Sequence, residues 1–546
     1  MKRKAVAAVL TAVMVASMFT GCGSDNGSSS AKSASAASAA SAANDTVDED
    51  GKVNGIMYQE GLPLVDEGDY TFSIFCDDSS ESGEFIMLDE FKKQTNVDVD
   101  LKIYPYETAT ERLNLDLNSG DYADVIGGWT LSDNAILTYG VNQGVFIPLE
   151  DYFEKYCPNI SAILDLPGVR EKMTAPDGHI YTIPYVCADT TVGYSPYINT
   201  KWLENVGMSM PTTTDEFEAV LKAFKEQDAN GNGDASDEIP FSTDPNNKHI
   251  EAMAGYFGLP MNKLGIAIQD EKVVYGGVSN TYREFLSWFH KLYADGLVDV
   301  ELYTQDSSTW EGKGNQDLYG VSIAYGSNEF TGIPAAEERG DFDSMPVLNT
   351  DKDGIWLRDT EGFSVYRTQA VITNKAEHPE IICRWFDNAF ALENGIGCNR
   401  GPVGVIVNKE DDGYHAIDTT TLSEEDQEKY SWGNLWPQSL PKYLPVDFEF
   451  VEEHPMYDEK KATEEAYEAN LTKEIIPSYW IDLDKIDTFS DTNTAIKDFF
   501  EQQQAQFVCG ELDIDNDADW QAYVDGMYSL GLEDWVATQG IEEIAK

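Results

Sequence analysis

Basic residues are scarce in this chain of 546 residues, in which 37 Lys and Arg stand against 97 Asp and Glu and the formal net charge is −60. Because affinity for phosphate groups needs clustered Lys and Arg, this balance excludes nucleic acid as a partner. An acidic surface helps to keep an exported protein soluble, but it does not indicate a fold. The length exceeds what one hydrophobic core supports, so we expect two or more lobes.

Cysteine and histidine are also rare, and neither is arranged as in known sites. The seven cysteines form no CxxC pair or zinc-like cluster, and the six histidines include no HExxH motif. There is no GxSxG nucleophile elbow, no phosphate-binding loop and no catalytic cysteine with an evident partner. The sequence therefore predicts a protein that is not an enzyme. Apart from Cys22, the cysteines are either small buried residues or the members of one or two disulfides.

Long apolar runs are missing, and the one short run lies at the N-terminus. Residues 5–19 follow a Lys-Arg-Lys sequence and are fewer than the roughly 20 that span a bilayer, so residues 1–21 are predicted to be a signal peptide. The Gly-Cys pair that ends this segment resembles a bacterial lipobox, in which Cys22 is lipidated and palmitate-like chains hold the protein at the membrane. An ordinary secretory signal cut nearby is the alternative. Residues 22–57 are rich in Ser, Ala, Gly and Asp and are expected to be a disordered tether.

Strand and helix patterns follow one another in the body of the chain. Residues 70–76 and 97–103 alternate apolar and polar side chains as strands do, and an apolar helical face at 85–91 lies between them. Such a unit implies a parallel sheet and an α/β fold. Ligands of open α/β sheets collect at the carboxyl ends of the strands. Those ends are predicted at residues 77–79, 104–106 and 127–129.

A helix and an oxygen-rich loop follow one another between residues 213 and 240. Thr213 and Glu216 fit the capping box that opens a helix. The apolar face of this helix is predicted to comprise Phe217, Val220, Leu221 and Phe224. The loop then alternates oxygen-bearing side chains with glycine, as cation-binding loops do.

The loop resembles an EF-hand at its start but not at its end. Asp228, Asn230 and Asn232 occupy positions 1, 3 and 5, and Gly233 occupies the turn at position 6, but position 12 is Ile239 instead of Glu. A solvated turn is the alternative to a metal site. We favour a structural calcium ion, since oxygen ligands with small spacers suit it better than zinc or magnesium. The predicted ligands are Asp228, Asn230, Asn232, Asp234 (through its carbonyl group), Asp237 and Glu238.

Several segments, in their shared order, resemble family 1 extracellular solute-binding proteins, the lipid-anchored receptors of ABC importers in Gram-positive bacteria. Those typical of the calcium-bearing, oligosaccharide-binding branch are PLEDYFEKYCPNI (148–160), APDGHIYTIPY (175–185), YINTKWLENVGMSMPTTTDEF (197–217), DANGNGDASDEIPF (228–241), WFHKLYADGLVD (288–299) and PSYWIDLD (477–484). The resemblance covers essentially the whole mature chain. It implies two α/β lobes joined by hinge strands, a ligand enclosed between them, and no enzymatic activity.

The resemblance also implies the calcium loop and a division of the chain into lobes. The loop is one residue longer than the family's shortest form, so Ser236 is either a spacer or a further ligand. The implied segments are a first lobe at 58–188 and 361–400, a second lobe at 189–360 with the calcium loop at 228–238, and at 401–546 the remainder of the second lobe with an extended helical C-terminal region.

The predicted ligand contacts are aromatic and polar residues in loops. A sugar has flat apolar faces edged with hydroxyl groups, so it binds to aromatic platforms, carboxylates, amides and Arg in a partly dry cleft. Packing inside the fold is the alternative for each candidate. The candidates are Asp78, Trp129, Trp310, Tyr325, Arg400, Trp432 and Trp436, whereas Trp202, Trp288 and Trp385 are predicted to be core residues.

These patterns predict a monomeric, lipid-anchored receptor on the extracellular face of the cell membrane, which binds a sugar, and in particular an oligosaccharide, and delivers it to ABC importer permease subunits. A receptor for a peptide or another small solute would have the same fold. A secreted glycoside hydrolase needs only two carboxylates, but among 97 acidic residues such pairs arise by chance. The ligand is expected to shift the two lobes from an open to a closed arrangement.

Overall fold

The computed structural model describes residues 45–78, 84–244, 249–332, 340–417, 419–451 and 455–545. The predicted signal peptide, Cys22 and most of the predicted tether lie outside these ranges, as does Ser79. The fold includes residues before the predicted boundary at residue 58, because Lys52–Val53 pairs antiparallel with Met57–Tyr58. Val53 and Met57 are buried in a hydrophobic core, so a few apolar side chains dock this stretch although its composition otherwise resembles a tether.

The first sheet is built on the predicted strand–helix–strand unit. Tyr70–Asp77 and Val97–Tyr104 run parallel with Tyr70 opposite Val97, and the helix Ile86–Thr95 connects them, which confirms the α/β prediction. The strand order is Val97–Tyr104, Tyr70–Asp77, Val125–Gly127, Phe363–Ile372 and Thr182–Ala188. The first three strands are mutually parallel, and the fourth is antiparallel to both of its neighbours.

The second sheet has the strand order Phe342–Ser344, Ser195–Asn199, Tyr319–Ala324 and Ile239–Thr243. The last two strands are parallel, so their carboxyl ends lie at the same edge of the sheet, where Tyr325 and Asp244 follow. Small ladders are formed by Ile266–Gln269 with Lys272–Tyr275 and Glu543–Ile544, by Trp356–Arg358 with Leu471–Ile475, and by Val407–Glu410 with Gly413–Ala416.

Helices cover both sheets and form the C-terminal region. The α-helices are Ile86–Thr95, Tyr106–Ser119, Asp133–Ala135, Glu150–Tyr156, Pro158–Leu164, Val169–Met173, Thr200–Val206, Thr214–Glu226, Asn280–Ala294, Ser307–Asn315, Asn328–Thr331, Pro379–Ala389, Leu392–Arg400, Glu424–Lys429, Pro455–Tyr467, Ile486–Cys509, Asp517–Ser529 and Leu532–Thr538. A π-helical segment spans Ile136–Asn142 and a 3₁₀ segment spans Ile250–Phe257. Among the described residues, no helix combines the length and the apolar character that crossing a bilayer requires.

The predicted helix after residue 213 has the expected cap and buried face. The Thr213 hydroxyl accepts a hydrogen bond from the Glu216 amide at 3.2 Å. The Glu216 carboxylate in turn accepts from the amide of Thr212 at 2.9 Å, one residue earlier than the predicted box requires. All four residues of the predicted apolar face are buried.

Each sheet has its own hydrophobic core, and the two cores define two lobes. In the first core, Trp385 packs edge-on against Phe91 and stacks on Trp436 with 5.7 Å between ring centroids. Trp202 is fully buried in the second core, and Trp288 packs against that core while partly exposed. The core assignments of Trp202 and Trp385 are confirmed. The six described cysteines are free thiols, four of them buried, so the alternative of small buried residues holds for most of them.

Two short segments carry the chain between the sheets. Residues 189–194 run from the end of Thr182–Ala188 to the start of Ser195–Asn199, and residues 359–362 lead into Phe363–Ile372. We call 189–194 the hinge segment. The predicted lobe boundaries stay predictions, but Trp436, which lies in the segment assigned to the second lobe, is buried in the first core.

A buried carboxylate in the first core has an altered acidity. Asp387 is 7% exposed, and it accepts hydrogen bonds from the Ile160 amide at 2.8 Å and from the Asn159 amide group at 3.0 Å. Burial raises the pKa of Asp387 to about 6, although these donors and Arg384 oppose the change. The folded protein therefore binds this proton more tightly than the unfolded chain does.

The stabilisation linked to that proton is complete below the unfolded pKa and is lost as the pH rises through the folded pKa of Asp387. Asp387→Asn cannot ionise and lacks this dependence. We expect the unfolding free energy of the native protein, relative to the variant, to fall by up to about 3 kcal/mol between about pH 4 and about pH 7. Urea unfolding at several pH values measures it, with the exposed Asp270→Asn as control. A difference that does not vary with pH would contradict the prediction.

Candidate ligand cleft

The carboxyl edge of the first sheet is organised around Asp77, the last residue of its strand. The Asp77 carboxylate accepts hydrogen bonds from the amides of Trp129 at 3.0 Å and Thr130 at 2.6 Å. Gly128 adopts φ 136°, and a β-carbon there would overlap the Asp77 carboxylate, so this loop needs glycine. Burial raises the pKa of Asp77, and the same backbone donors oppose that rise. Asp77 thus fixes the loop that presents Trp129.

The Trp129 indole is 46% exposed and stands against two tyrosines. Its ring is edge-on to Tyr366 at 5.2 Å and lies 6.4 Å from Tyr185. Tyr366 and Tyr185 are cross-strand partners on neighbouring strands, and their rings stack at 5.5 Å. Tyr106 lies at the same edge of the sheet and is 40% exposed. Burial raises the pKa of Tyr106, and its hydrogen bond with Trp129 opposes that rise.

Aromatic residues of the second lobe and of the hinge segment face the carboxyl edge of the first sheet. Tyr325 follows the strand Tyr319–Ala324, and its ring is edge-on to that of Tyr194 in the hinge segment at 6.0 Å. Tyr194 stacks on the imidazole of His249 at 4.1 Å. Burial lowers the pKa of His249 to about 4, so this ring is neutral at neutral pH and offers an uncharged face.

Asp189, the first residue of the hinge segment, joins the two sides. Its carboxylate accepts a hydrogen bond from the Tyr325 hydroxyl at 3.2 Å and one from the Ser364 hydroxyl at 2.5 Å. Tyr325 belongs to the second lobe and Ser364 to the first sheet. We call Trp129, Tyr185, Tyr194, Tyr325 and Tyr366 the cleft aromatic cluster.

Lys460 places a positive charge on this cluster. Its ammonium lies 3.7 Å from the centre of the Tyr325 ring, a distance typical of a cation–π contact. Burial lowers the pKa of Lys460 to about 8, although Glu459, Glu329, Asp189 and Asp359 act in the opposite direction. The floor of the cleft therefore combines exposed ring faces with charged groups in a partly desolvated setting.

Asp78, Trp432 and Arg400 lie together at the side of the first lobe. Asp78 is 3% exposed, and its carboxylate accepts from the Gln438 amide at 2.7 Å. The Gln438 side chain in turn donates to the Trp432 carbonyl at 2.9 Å. Trp432 is 57% exposed, with the Lys442 ammonium 5.3 Å from its ring, and Arg400 is close enough to depress the pKa of Lys442 further. Asp78 thus shapes the loop that carries Trp432.

Two of the predicted contacts are core residues in this structure. Trp310 is 3% exposed and lies in the helix Ser307–Asn315, where the sequence suggested a loop. Gly314 in this helix serves packing, because a β-carbon there would overlap the backbone of Phe330. Trp436 is fully buried and stacks on Trp385. An indole with no accessible face cannot support a sugar ring, so neither residue remains a candidate contact.

Sequence reasoning missed Tyr185, Tyr194, Tyr366 and Lys460, and it placed Asp77 at a strand end without naming it as a site residue. Tyr185 is part of the segment 175–185, but nothing in the pattern of that segment separates a half-buried tyrosine in the middle of a strand from a core one. Tyr366 sits where the strand pairing is interrupted between Tyr366 and Ala370, an irregularity that side-chain alternation does not reveal. Lys460 is brought in from a helix distant in sequence.

A separate cavity of about 310 Å³ lies between the first lobe, the second lobe and the C-terminal region. Its walls include Leu137, Ile266, Ile476, Ile486 and Phe489. Aliphatic side chains dominate these walls and offer few flat aromatic faces. We therefore place the candidate site at the cleft aromatic cluster instead.

The oxygen-rich loop contains two buried carboxylate oxygens that need a partner. Asp228 Oδ1 and Glu238 Oε2 have no hydrogen-bond partner within the described part of the chain. Burial raises the pKa of Glu238. Asn230 and Asn232 donate to the Asp237 carboxylate at 3.3 and 2.8 Å. The chemistry of these side chains, with two buried carboxylate oxygens left unpaired, fits a hard cation.

Another group of potential metal ligands lies on a surface hairpin. The ligand atoms of Glu410, Asp412 and His415 lie within 4.8 Å of one another. The two carboxylates are exposed, and His415 already contacts Asp412 at 3.0 Å. This group has no buried unpaired oxygen, so we do not treat it as a metal site.

The chain resembles known proteins over most of its length. A model of the family "Bacterial extracellular solute-binding protein" matches residues 78–395. The fructooligosaccharide ABC transporter substrate-binding protein FusA of Streptococcus pneumoniae serotype 4 is 31% identical over 411 residues, which cover 73% of this chain and 70% of FusA. Lipoprotein LipO of Bacillus subtilis strain 168 is 28% identical over 280 residues, covering 50% of this chain and 52% of LipO.

A solved structure shows the same architecture. The S. pneumoniae FusA EF-hand mutant in complex with fructo-nystose superposes with a TM-score of 0.75 and 27% identity. The superposition covers 86% of this chain and 98% of that one. The similarity thus extends over both lobes and the C-terminal region.

The Asp77 anchor can be tested directly. Asp77→Ala leaves the amides of Trp129 and Thr130 without their acceptor, and an unpaired buried donor costs about 1–3 kcal/mol. We expect hydrogen exchange of the 127–131 backbone to rise by roughly tenfold or more while the core strand Phe363–Ile372 stays protected. Exchange followed by mass spectrometry measures this, with the exposed Asp121→Ala as control. Unchanged protection of the loop would show that Asp77 does not hold it.

Proposed function

The chain belongs to the bacterial extracellular solute-binding proteins, and from that premise we propose that it is a non-enzymatic receptor that binds an oligosaccharide between its two lobes. We propose further that it delivers the sugar to the permease subunits of an ABC importer. Its relative FusA is a fructooligosaccharide ABC transporter substrate-binding protein, which makes short fructo-oligosaccharides the first ligands to test.

The observation that carries this proposal is the cleft aromatic cluster. Ring faces from both lobes meet at the carboxyl ends of the sheets, where α/β folds bind ligands, and Trp129 leaves almost half of its surface free. Aromatic faces pack against the apolar faces of sugar rings, and neighbouring carboxylates and hydroxyls accept and donate hydrogen bonds at the ring edges. Asp189 and the tyrosine hydroxyls supply such groups at the floor of the cleft.

The proposed contacts divide between the lobes. Trp129, Tyr106 and Trp432 belong to the first lobe, and Tyr325 follows a strand of the second. Arg400 and Asp78 support the same side as Trp432. A ligand that touches both sides has more contacts when the lobes are closed, and it shifts the population toward the closed arrangement by that difference in affinity.

Trp129→Ala removes the most exposed platform of the cluster. We expect a roughly fivefold to thirtyfold loss of affinity for fructo-nystose, since stacking on an aromatic ring contributes about 1–2 kcal/mol, with no loss of thermal stability because the side chain is half exposed. Isothermal titration calorimetry measures the affinity. Tyr528→Ala, an aromatic residue 42% exposed on a C-terminal helix, is the matched control and should bind as the native protein does.

A thermal-shift screen distinguishes ligand classes. A true ligand at 100 times its dissociation constant stabilises the native state by roughly 2.7 kcal/mol, so oligosaccharides should raise the melting temperature and peptides should not. Stabilisation by peptides alone would replace the sugar proposal with a peptide receptor. Cleavage of any oligosaccharide by the purified protein would overturn the non-enzymatic assignment.

We propose that the loop at 228–238 binds a structural calcium ion. Asp228, Asn230, Asn232, Asp237 and Glu238 would hold it, with the carbonyl group of Asp234. The ion would supply a partner for the two unpaired carboxylate oxygens and tie the helix Thr214–Glu226 to the strand Ile239–Thr243. The EF-hand named for the related FusA structure is consistent with a cation loop. Since the loop precedes this strand and the cleft residue Tyr325 follows the end of its parallel neighbour, the ion would lie at the opposite edge of the second sheet.

Removal of calcium should therefore destabilise the protein without preventing sugar binding. We expect a chelator to lower the melting temperature of the native protein by several degrees and to leave that of Asp228→Asn unchanged, because the variant has already lost a ligand. Differential scanning calorimetry with and without added calcium measures the effect, and Asp270→Asn, in an exposed turn, is the control. A native melting temperature that does not respond to chelator and calcium would contradict the site.

We propose that Cys22 carries a lipid anchor and that the receptor works as a monomer on the extracellular face of the membrane. The relative LipO is named a lipoprotein, and the N-terminal sequence pattern supports the same arrangement. A tether between Cys22 and the fold would let the lobes reach the permease from the membrane surface.

A further inference from the structure

The hinge segment is bonded to a helix that comes from a distant part of the chain. We call Pro455–Tyr467 the hinge helix. The Glu464 carboxylate accepts hydrogen bonds from the Thr191 amide at 2.6 Å and the Thr191 hydroxyl at 3.1 Å. One turn earlier, the Lys460 ammonium donates to the Gly193 carbonyl at 3.0 Å. Residues 460 and 464 lie on the same helical face, so charged side chains from two successive turns of one helix bind Thr191 and Gly193 of the hinge segment.

The hinge segment is also bonded to the second connection between the lobes. The Asp359 carboxylate accepts from the Gly193 amide at 2.7 Å, and the Asp359 amide donates to the Thr191 carbonyl at 3.0 Å. The peptide groups on both sides of Gly193 are therefore bound to charged side chains, Asp359 from one side and Lys460 from the other. A backbone held in this way cannot change its dihedral angles without breaking hydrogen bonds to charged groups, which are among the stronger ones in proteins.

The hinge helix is itself attached to the second lobe. The Glu459 carboxylate accepts from the amide of Ser327 at 2.9 Å and from its hydroxyl at 2.5 Å. Tyr467 is fully buried and lies edge-on to Trp356 at 5.4 Å between ring centroids. The helix can therefore transmit the position of the second lobe to the hinge.

Lys460 reaches both the hinge and the cleft. Its ammonium donates to the hinge carbonyl of Gly193 and also lies 3.7 Å from the centre of the ring of Tyr325, a member of the cleft aromatic cluster. Lys460 is 9% exposed, and burial of an ammonium is costly unless it is paired. A methionine or leucine would fill this space without that cost, so the charge serves a purpose other than packing.

We propose that Lys460 and Glu464 are positioning residues of the hinge, which hold residues 189–194 in one arrangement and, through Lys460, couple that arrangement to the Tyr325 ring in the ligand cleft. Contact of a ligand with Tyr325 then alters the support of the Gly193 peptide group, and lobe movement alters the position of Tyr325. The coupling to ligand rests on the proposed function, whereas the hold on the hinge rests on the geometry alone.

Hydrogen exchange without ligand tests the hold on the hinge. Lys460→Met keeps the length of the side chain but removes the donor, and Lys461→Met, at the exposed neighbouring position, is the matched control. We expect Lys460→Met to raise exchange of the Thr191 and Gly193 amides by roughly tenfold or more, with the core strands of both sheets unaffected. Lys460→Arg, which retains a charged donor, should restore most of the protection.

Glu464→Ala, with the exposed Glu465→Ala as control, should act on the same amides. Unchanged exchange in residues 189–194 of Lys460→Met would overturn the proposal. A uniform rise over the whole chain would also overturn it, because that result describes a general loss of stability instead of a local hold.

Small-angle scattering with fructo-nystose tests the coupling. In the native protein the sugar should reduce the radius of gyration, and in Lys460→Met the same occupancy should produce a smaller or no reduction, whereas Lys461→Met should respond as the native protein does. Full compaction of Lys460→Met at equal occupancy would overturn the coupling. Failure of the native protein to bind fructo-nystose would count against the proposed sugar, and the exchange experiment would still decide the role of Lys460 and Glu464.

Discussion

The carboxylate of Asp189 accepts hydrogen bonds from both lobes, and the arrangement of the cleft depends on it. Ser364 donates from a strand of the first sheet and Tyr325 from the loop after a strand of the second. Because the two sheets have separate hydrophobic cores, packing within each core does not determine how their carboxyl edges are oriented toward each other. A shared acceptor at the start of the hinge segment fixes that relation and brings the tyrosines of the two sides into one cluster.

The polar groups around this carboxylate show how a segment without sheet pairing can be well ordered. The backbone N–H and C=O groups of a hinge segment have no hydrogen-bond partners in a sheet. Leaving such a group unpaired is costly when it is buried. Here Glu464, Asp359 and Lys460 satisfy them with side chains. Hydrogen bonds of this kind can be exchanged for others as the chain moves, which the close packing of an apolar core would resist.

In this strongly negative chain, several of the few basic side chains are buried and bound to internal groups. Arg367 is buried and paired with Asp133, with its guanidinium 4.0 Å from the ring of Trp480. Lys442 is buried against Gln438, and Lys460 binds the hinge. These three cations therefore serve the internal architecture, as do the buried carboxylates of Asp77 and Asp387, whereas other carboxylates gather in the loop at 228–238. A cation bound there would offset part of the local repulsion among those carboxylates.

The sequence by itself determined the local structure of this protein. Alternation at 70–76 and 97–103 predicted the parallel pair, the Thr213 cap predicted a helix start, and the glycine pair before Trp129 marked the loop that carries an exposed indole. These features depend on side-chain periodicity and on the backbone preferences of neighbouring residues, and both can be read directly from one sequence. The order of six segments also sufficed to indicate the family.

Only the tertiary structure decided which aromatic residues face the cleft. Trp310 and Trp436 occur in stretches rich in glycine and polar residues, yet both are buried. Gly314 allows close packing of a helix on Phe330 in one case, and Trp385 covers the indole in the other. Tyr185, Tyr366 and Lys460 are far apart in sequence and meet only through strand pairing and the return of the hinge helix. Such contacts are determined by the packing of helices and strands that are distant in sequence, so local residue patterns do not predict them.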